Sequence, residues 1–578
     1  MPVVASKFIL DNCGGAAAMA YENSLHIDSG TVPQRSTTSH DRIDKTITLF
    51  CVLTAVLTGT ALRWLVNADE ALWYDEVWTG TIAIQDWRGA LEILGIDFNA
   101  PLFYLSVWGW VQIFGSSDAA IRAPGLIATV AAPCVAWLLL RGRMPLHQRA
   151  LFTIIVALWI PGLYFAQEAR SYPFTVLGAV LETVFFFRAL RSKGARGDIA
   201  GWALSGLFLG LTHYTTLVMS AVQGITLLIL FWRTRLLSVT FAGLAYTVVL
   251  AVFLSHYEAF VRITNFEHFW LKPLTFYDLG RALQFLAGDI FVFLLLVCVV
   301  GVALLVDAKN TADEGARRGG DALTNVAELW TARLHNAIGS PVFLTAVVSF
   351  LGLSLFLCIA VFRPIFMPRL LIPFAPGIFL GLIWIIDAMP STRLRAGYAT
   401  VAIFFAGALL WGARSAAEID KVLTWEHESA ILKDAGVSEV FFFLDQGFPT
   451  PYPEFLHTKV FGFYFSRVGA EVSVREFVPD FQGYSDPRPH FVRFLSEKPG
   501  RGLIWTLFPG PTPDPIPSGS DGMMKRIRER GFSAAYDHKV MEDIEGVTCH
   551  ATGAAAYPKY VCYSATDRPA PHSERREN

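Results

Sequence analysis

Residues 73–79 read Trp73-Tyr74-Asp75-Glu76-Val77-Trp78-Thr79, and they follow shortly after the first long apolar run, about 46–66. A run of this length predicts a membrane-spanning helix. Two adjacent carboxylates at a membrane exit are costly unless they have a function. Tryptophan prefers the membrane–water interface, where the polar N–H of the indole can reach water while the rest of the ring contacts lipid. The segment predicts an acidic site at the membrane surface, suited to a substrate whose tail lies in lipid and whose head lies in water.

Composition places the whole chain in the membrane class. Of its 578 residues, 53% are hydrophobic and 17% are charged, whereas soluble proteins have about 25% charged residues. This deficit, with repeated apolar runs, predicts a polytopic α-helical membrane protein whose partners include membrane lipids. The net charge of −2 is uninformative about nucleic acid, but the sequence has no basic binding face, so no nucleic-acid partner is predicted.

Apolar runs of roughly 20 residues predict about eleven transmembrane helices. Their approximate limits are 46–66, 118–140, 150–166, 172–188, 199–213, 215–232, 236–256, 284–306, 340–362, 367–387 and 396–414. These spans define a transmembrane domain over 46–415, with a first loop over 67–117. The preceding residues 1–45 are predicted to be a disordered cytoplasmic tail.

Basic residues cluster in alternate connections between these spans, for example at Arg141 to Arg149, at Arg188 to Arg196, at Arg233 and Arg235, and at Arg393 to Arg395. Because cytoplasmic connections carry the excess of Lys and Arg, these face the cytoplasm. An odd helix count then gives an N-in, C-out topology, with loop 67–117 and everything after about 415 outside. The predicted location is the bacterial inner membrane.

Residues 416–566 differ in character from the rest of the chain. Short strands are predicted at 440–444, 471–477, 503–508 and 560–564, with helices between them, and this alternation predicts a small extracytoplasmic α/β domain. Cys549 and Cys562 stand alone in it. They would form a disulfide in an oxidising compartment, or remain two free thiols. Residues 567–578 are predicted to be a loose tail.

The outer face carries acids and arginines that suit glycosyl transfer. Such a reaction needs a base to take the proton of an acceptor hydroxyl, and Asp75 or Glu76 fits that role. It also needs positive charge for a phosphate leaving group. The arginines predicted on the outer face are Arg122, Arg170, Arg363 and Arg369. The alternative reading of any one such residue is an interfacial salt bridge or anchor.

Two shorter outer segments add candidate residues. The turn 167–172 places Glu168, Arg170 and Tyr172 between two helices, although Glu168 could simply pair with Arg170 or cap the next helix. His213 and Tyr214 end the fifth span, where a lone His often serves as a hydrogen-bonded helix-end residue. No cofactor is required by the sequence.

A metal ion has weaker support from the residue pattern. Glu76 and Asp97 could share a divalent cation such as Mg²⁺ or Mn²⁺ through carboxylate oxygens. No pattern of paired His or Cys typical of zinc sites is present, so a structural zinc site is not predicted.

The motifs together resemble a known family. The segments 74–79, 100–104, 114–122, 167–172, 210–214 and 368–373 occur in the same order in the dolichyl-phosphate-mannose–protein mannosyltransferase-like family. These are GT-C fold glycosyltransferases, and their bacterial members include the aminoarabinose lipid A transferases. The resemblance covers roughly residues 45–415. No motif in the C-terminal domain matches, and that domain is expected to bind the acceptor or dock a partner.

The resemblance implies an inverting sugar transfer from a polyprenyl-phosphate donor to an extracytoplasmic lipid, polysaccharide or protein. By that likeness Asp75 is the general base, Glu76 orients the acceptor or a cation, and Arg369 contacts the lipid phosphate. The family often has a histidine where this chain has Asn99, so Asp97 or Asn99 would substitute. The second acid of the site is Asp97 or Glu168. The implied substrate-binding residues are Asp97, Asn99, Glu168, Arg170, Tyr172, His213, Tyr214 and Arg369.

Two other classes compete with the enzyme. A transporter or flippase for lipid-linked saccharides would carry ionisable residues near the bilayer midplane. Here the polar groups sit at the outer ends of the spans, and Glu182 is the main exception. A non-catalytic assembly subunit would have no need of the exposed pair Asp75 and Glu76. The sequence therefore favours the glycosyltransferase.

Overall fold

The structure is a computed structural model, and it describes eleven parts of the chain. The predicted tail 567–578 and residues 1–38 of the predicted tail 1–45 lie outside the described residues, as do Asp69 and Glu70 of the first loop. The described residues are 39–65, 71–264, 274–317, 331, 339–363, 365–418, 425–444, 459–476, 493–506, 547–551 and 559–564.

Helices make up most of the described residues between 39 and 418. They are α1 Ser39–Leu65, α2 Tyr74–Ala83, α3 Trp87–Ile96, α4 Leu102–Phe114, α5 Asp118–Leu139, α6 Leu146–Leu158, α7 Ile160–Phe165, α8 Tyr172–Arg191, α9 Arg196–Thr212, α10 Leu217–Ser255, α11 Tyr257–Thr264, α12 Phe276–Ala287, α13 Ile290–Arg317, α14 Pro341–Phe362, α15 Ala375–Asp387 and α16 Arg393–Glu418. Within the described residues, eight helical segments are long and apolar enough to cross a membrane. The predicted class, a polytopic α-helical membrane protein, is confirmed.

The predicted span 150–166 is broken into α6 and α7 at Trp159. Pro161 has no N–H to continue the helix, and its ring would clash with the carbonyl four residues earlier. That carbonyl belongs to Ala157, and it accepts a hydrogen bond of 2.8 Å from the Arg63 guanidinium. A buried arginine at the end of α1 thus satisfies the backbone group that the break leaves free.

Helix α10 is a helical hairpin and contains both predicted spans, 215–232 and 236–256. A straight helix of its 39 residues would be about 58 Å long. Instead, the Tyr214 hydroxyl just before it lies 2.8 Å from Nδ1 of His256 just after it. The backbone leaves the helical region at Arg235, with φ −138° and ψ 20°. The chain therefore reverses at the basic turn that the sequence placed between the two spans.

The connections predicted to face the cytoplasm meet at one end of the bundle. Arg188 donates to the Leu139 carbonyl at 3.2 Å. The Asp387 carboxylate accepts from Arg393 at 3.3 Å and lies 2.9 Å from Nε2 of His147. These contacts join connections that the charge pattern assigned to the same side.

The C-terminal part is an α/β unit built on one five-stranded sheet of order β2-β1-β3-β5-β4. The first three strands are parallel, and β5 runs antiparallel to both β3 and β4. The four predicted strands are present, and the structure adds β4, which the sequence analysis missed. The elements are α17 Glu426–Asp434, β1 Glu439–Leu444, α18 Phe463–Arg467, β2 Ser473–Glu476, β3 Arg501–Thr506, β4 Val547–Ala551 and β5 Lys559–Ser564.

Strands β4 and β5 are also linked covalently. Cys549 lies opposite Cys562 in their antiparallel register, and the two form a disulfide. Of the two alternatives left by the sequence, the structure has the disulfide.

One hydrophobic core joins the first outer loop to this C-terminal unit. Leu72, Trp78 and Phe103 from the loop pack in the same buried cluster as Trp425 and Phe442 from the C-terminal unit. Because apolar burial is worth about 25 cal/mol per Å², the two parts stabilise each other. The C-terminal residues therefore pack against the loop that carries the paired acids and hold it in place.

An ion cluster at the start of β1 makes the stability of the C-terminal unit pH-dependent. Burial of Glu439 opposes ionisation, but hydrogen bonds from Lys498 and Arg501 outweigh it and hold the pKa of the carboxyl below its ordinary value of 4.5. A lowered folded-state pKa contributes stability above the unfolded pKa, and that contribution is lost as the pH falls through the folded value. We expect the wild type to be more stable than Glu439→Gln at neutral pH. The difference in unfolding free energy should shrink below pH 4.5, and a difference independent of pH would contradict this account.

Candidate active site

The site is built on the first turn of α2. Trp73 precedes the helix in an extended conformation, and its backbone N–H donates to Glu76 Oε2 at 3.2 Å. Asp75 and Glu76 both lie in the first turn, where the helix dipole and the free N–H groups favour negative charge. The local sequence thus places two carboxylates side by side but pointing in different directions, since successive helix residues are rotated by about 100°.

Glu76 is fully buried and paired. It accepts from Arg122 Nη2 at 2.6 Å and Nε at 2.9 Å, and from the Ala169 backbone N–H at 2.8 Å. Such a two-pronged guanidinium–carboxylate pair is among the strongest polar contacts in proteins. Glu76 therefore ties α2 to α5 and to the turn 167–171.

Asp75 is partly open to solvent. Its side chain is 30% exposed, and Oδ2 lies 3.9 Å from Arg170 Nη2. Arg170 also donates to the Asp75 backbone carbonyl at 3.1 Å. A carboxylate that is held in place at its backbone and remains reachable has the geometry that a general base needs.

Asp97 is buried and accepts several hydrogen bonds. It accepts from Trp78 Nε1 at 3.1 Å, from Asn99 Nδ2 at 3.0 and 3.1 Å and from the backbone N–H of Phe98 at 2.8 Å. The two candidates Asp97 and Asn99 therefore contact each other and fix the loop that leads into α4.

The turn 167–172 lies beside the 3₁₀ segment Pro368–Phe374. The Arg369 guanidinium stands 4.9 Å from the centre of the Tyr172 ring, which is a cation–π contact. The same turn carries Arg170, which lies 3.9 Å from the Asp75 carboxylate. Residues predicted from three separate outer connections are thus brought together.

His213 and Tyr214 lie at the edge of this group. His213 packs 6.3 Å from the Tyr172 ring, and its Nδ1 lies 2.9 Å from the Thr215 hydroxyl. Tyr214 contacts His256 instead. His213 thus has the hydrogen bond of a helix-end residue and also borders the cluster.

An open cavity of about 470 Å³ lies between α7, α12 and the 3₁₀ segment. Glu168 and Arg369 line it together with aromatic and apolar side chains. Its walls also include Trp73, from the segment 73–79, and Tyr164 and Arg281, which the sequence analysis did not select. Tyr164 and Glu168 lie in the same wall; a phenol near the end of an apolar span was the available signal for Tyr164.

No group of three or more His, Cys, Asp or Glu side chains in the described part of the chain is arranged to hold a metal ion. Glu76 is engaged by Arg122, and Asp97 by Trp78 and Asn99. A shared cation on Glu76 and Asp97 stays a prediction.

The fold is that of a multi-pass membrane protein with the GT-C architecture. The chain is similar in structure to ArnT from Cupriavidus metallidurans in the apo state, with a TM-score of 0.50, 11% identity, and coverage of 90% of this chain and 98% of that one. The same protein bound to undecaprenyl phosphate gives a TM-score of 0.47 at 10% identity, covering 91% of this chain and 98% of that one.

The archaeal oligosaccharyltransferase AglB from Archaeoglobus fulgidus, in complex with an inhibitory peptide and a dolichol-phosphate, gives a TM-score of 0.42 at 10% identity, covering 80% of this chain and 70% of that one. No protein-family model and no curated protein sequence matches the chain. At this level of identity the likeness to ArnT shows the fold, and the fold expected from the sequence resemblance is confirmed.

Proposed function

We propose that this protein is a membrane glycosyltransferase that moves a sugar from a polyprenyl-phosphate donor to an extracytoplasmic acceptor with inversion at the anomeric carbon. The observation that carries the proposal is the turn 167–172, in which Arg170 lies beside the reachable carboxylate Asp75 and Tyr172 contacts Arg369. Base and phosphate-binding cation are the two groups that the reaction requires. The proposed location is the bacterial inner membrane, with the site on the periplasmic side.

In the proposed mechanism Asp75 accepts the proton of the acceptor hydroxyl. The acceptor oxygen attacks the anomeric carbon on the face opposite the phosphate. The bond from that carbon to the phosphate oxygen breaks, and polyprenyl phosphate leaves with the electron pair. Arg170 holds Asp75 in position through its hydrogen bond to the Asp75 backbone carbonyl.

Arg369 is the proposed partner of the lipid phosphate. Its Nε has no hydrogen-bond partner among the described residues, and the residue lines the cavity beside Glu168. Phosphate oxygens supply the acceptors that a guanidinium fork matches. Glu168 and Tyr164 in the same wall would then face hydroxyl groups of the transferred sugar.

A transfer assay tests the proposal. Purified protein is mixed with a panel of radiolabelled polyprenyl-phosphate sugars and a membrane extract as acceptor, with and without EDTA. Label moving to an acceptor supports the enzyme, and the active donor names the sugar. Loss of transfer with EDTA, restored by Mg²⁺ or Mn²⁺, would support the cation on Glu76 and Asp97. Absence of both transfer and hydrolysis with folded protein would contradict the proposal.

Replacing Arg369 with Ala should weaken donor use. Loss of one phosphate-directed donor is expected to lower kcat/KM for donor by about 10²–10³-fold, with less effect on the acceptor KM. Arg369→Lys should recover part of the loss. The matched control is Arg262→Ala, which removes an exposed arginine bound to the Ile96 carbonyl and should change neither constant. Equal losses in both arginine variants would count against the assignment.

Glu182 is the observation that favours the transporter as second candidate. It is buried within α8, and its carboxyl accepts from Ser220 at 2.5 Å and from Tyr246 at 3.4 Å. These partners lie on the two arms of the α10 hairpin. Flux of a lipid-linked saccharide in proteoliposomes, without transfer and sensitive to Glu182→Gln, would support that class instead.

A further inference from the structure

We propose that the C-terminal unit positions the general base, through an aromatic clamp made of Trp425, Phe461, Phe463 and Tyr464. The inference rests on the proposed function of Asp75. It concerns residues more than 300 positions away in sequence, for which the sequence indicated only acceptor binding or docking of a partner.

The clamp holds the chain immediately before Asp75. Tyr464 is fully buried, and its hydroxyl donates to the Leu72 carbonyl at 2.8 Å. The Tyr74 ring packs 6.3 Å from Trp425 and 6.1 Å from Phe461. Aromatic pairs at this separation contribute about 0.5–1.5 kcal/mol beyond their area. C-terminal side chains thus fix Leu72, just before α2, and Tyr74, the first residue of α2.

The clamp also holds the helix after Asp75. Phe463 lies so close to Gly80 that a Cβ there would be 2.7 Å from its Cζ. Only glycine permits this approach of the ring to the α2 backbone. The contacts at positions 72, 74 and 80 lie on both sides of Asp75 in the sequence. While the clamp makes these contacts, α2 cannot shift relative to the C-terminal unit.

A third contact joins the C-terminal unit to α5, the helix whose Arg122 binds Glu76. Arg467, at the end of α18, pairs with Asp118, the first residue of α5. The same helix carries Arg122, the partner of Glu76. Trp425 in turn donates from Nε1 to the Phe461 carbonyl at 2.9 Å, which joins the members of the clamp. The C-terminal unit therefore completes the site without contributing a reacting group.

The test removes single contacts and separates turnover from binding. Tyr464→Phe deletes only the hydroxyl that reaches Leu72, and Gly80→Ala pushes against Phe463. Since a displacement of about 1 Å at a reacting group can cost 10²-fold, we expect kcat to fall by about 10- to 100-fold with both KM values nearly unchanged. The controls are Tyr563→Phe, whose hydroxyl lies 3.4 Å from Nε2 of His550, and Gly109→Ala, whose added Cβ would meet no atom of the described residues within 4 Å.

A second readout does not depend on turnover. The amides of Glu76 and Val77 donate to the Trp73 carbonyl at 2.8 and 2.9 Å, so their hydrogen exchange reports the fixation of this turn. Exchange there should be faster in Tyr464→Phe and unchanged in Tyr563→Phe, at equal overall melting temperature.

The outcomes separate this inference from the proposed function. Transfer by the wild type that is lost in Asp75→Asn, with unaltered kcat and exchange in both clamp variants, would overturn the clamp alone. A raised acceptor KM at unchanged kcat would overturn it in favour of acceptor binding by the C-terminal unit. No transfer by the wild type, together with faster exchange in Tyr464→Phe, would overturn the function while the clamp stands as a structural device.

Discussion

Asp75→Asn should reduce transfer by about 10²–10⁴-fold in kcat, the range that a positioned general base contributes. The amide cannot accept the acceptor proton, yet it has the same shape as the carboxylate. Because the Asp75 side chain is 30% exposed, folding and the affinity for donor should be nearly unchanged. The measurement is transfer of labelled sugar at saturating donor and acceptor, beside thermal unfolding of the same preparation.

Asp86→Asn is the matched control for this prediction. Asp86 lies in the same loop, is exposed, and accepts from the Gly89 backbone N–H at 2.7 Å as the residue that caps α3. Asn serves as well as Asp at such a position. Normal turnover by Asp75→Asn, or an equal loss in Asp86→Asn, would remove Asp75 from the role of base.

Glu76→Gln should act on stability. It leaves the Arg122 guanidinium buried without its counter-charge, and breaking a buried ion pair from one side costs roughly 3–5 kcal/mol. We expect a large drop in melting temperature and in yield of folded protein. Activity should fall with the folded fraction, which differs from the pure turnover defect of Asp75→Asn.

A double-variant cycle tests the cause. Glu76→Gln with Arg122→Met removes both charges and should recover part of the lost stability. The control Glu92→Gln removes an exposed acid that lies 3.8 Å from Lys459 and should cost at most about 1 kcal/mol, as exposed pairs do. A Glu76→Gln protein with normal stability and no transfer would instead support the direct role that the family resemblance implies for Glu76.

Much of the fold could be predicted because it follows from local composition. Each predicted span coincides with helical segments, since hydrocarbon requires about 20 apolar residues per crossing. The sequence also located the reversal in α10, because the basic residues Arg233 and Arg235 interrupt the apolar run there. The break at Trp159 was missed although Pro161 marks it, and β4 was missed because a five-residue strand is a weak pattern.

The candidate site was only partly accessible to sequence reasoning. The motif order predicted Asp75, Arg170, Tyr172 and Arg369 on one outer face, and the structure places Asp75 beside Arg170 and Tyr172 beside Arg369. Tyr164 and Arg281 were missed as cavity residues, because neither belongs to a recognisable pattern. Their position depends on how α7 and α12 pack.

The sequence by itself determined the membrane class, the alternation of basic and less basic connections, and the acidic start of α2. These features follow directly from how apolar runs and charges partition between lipid and water. Only the tertiary structure decided which of two adjacent carboxylates is buried. Glu76 finds Arg122 at a separation of 46 residues, while Asp75 stays reachable. Tertiary structure also decided that Tyr464 contacts Leu72 across 392 residues. Such pairings depend on how distant segments pack together, and no local sequence pattern predicts that packing.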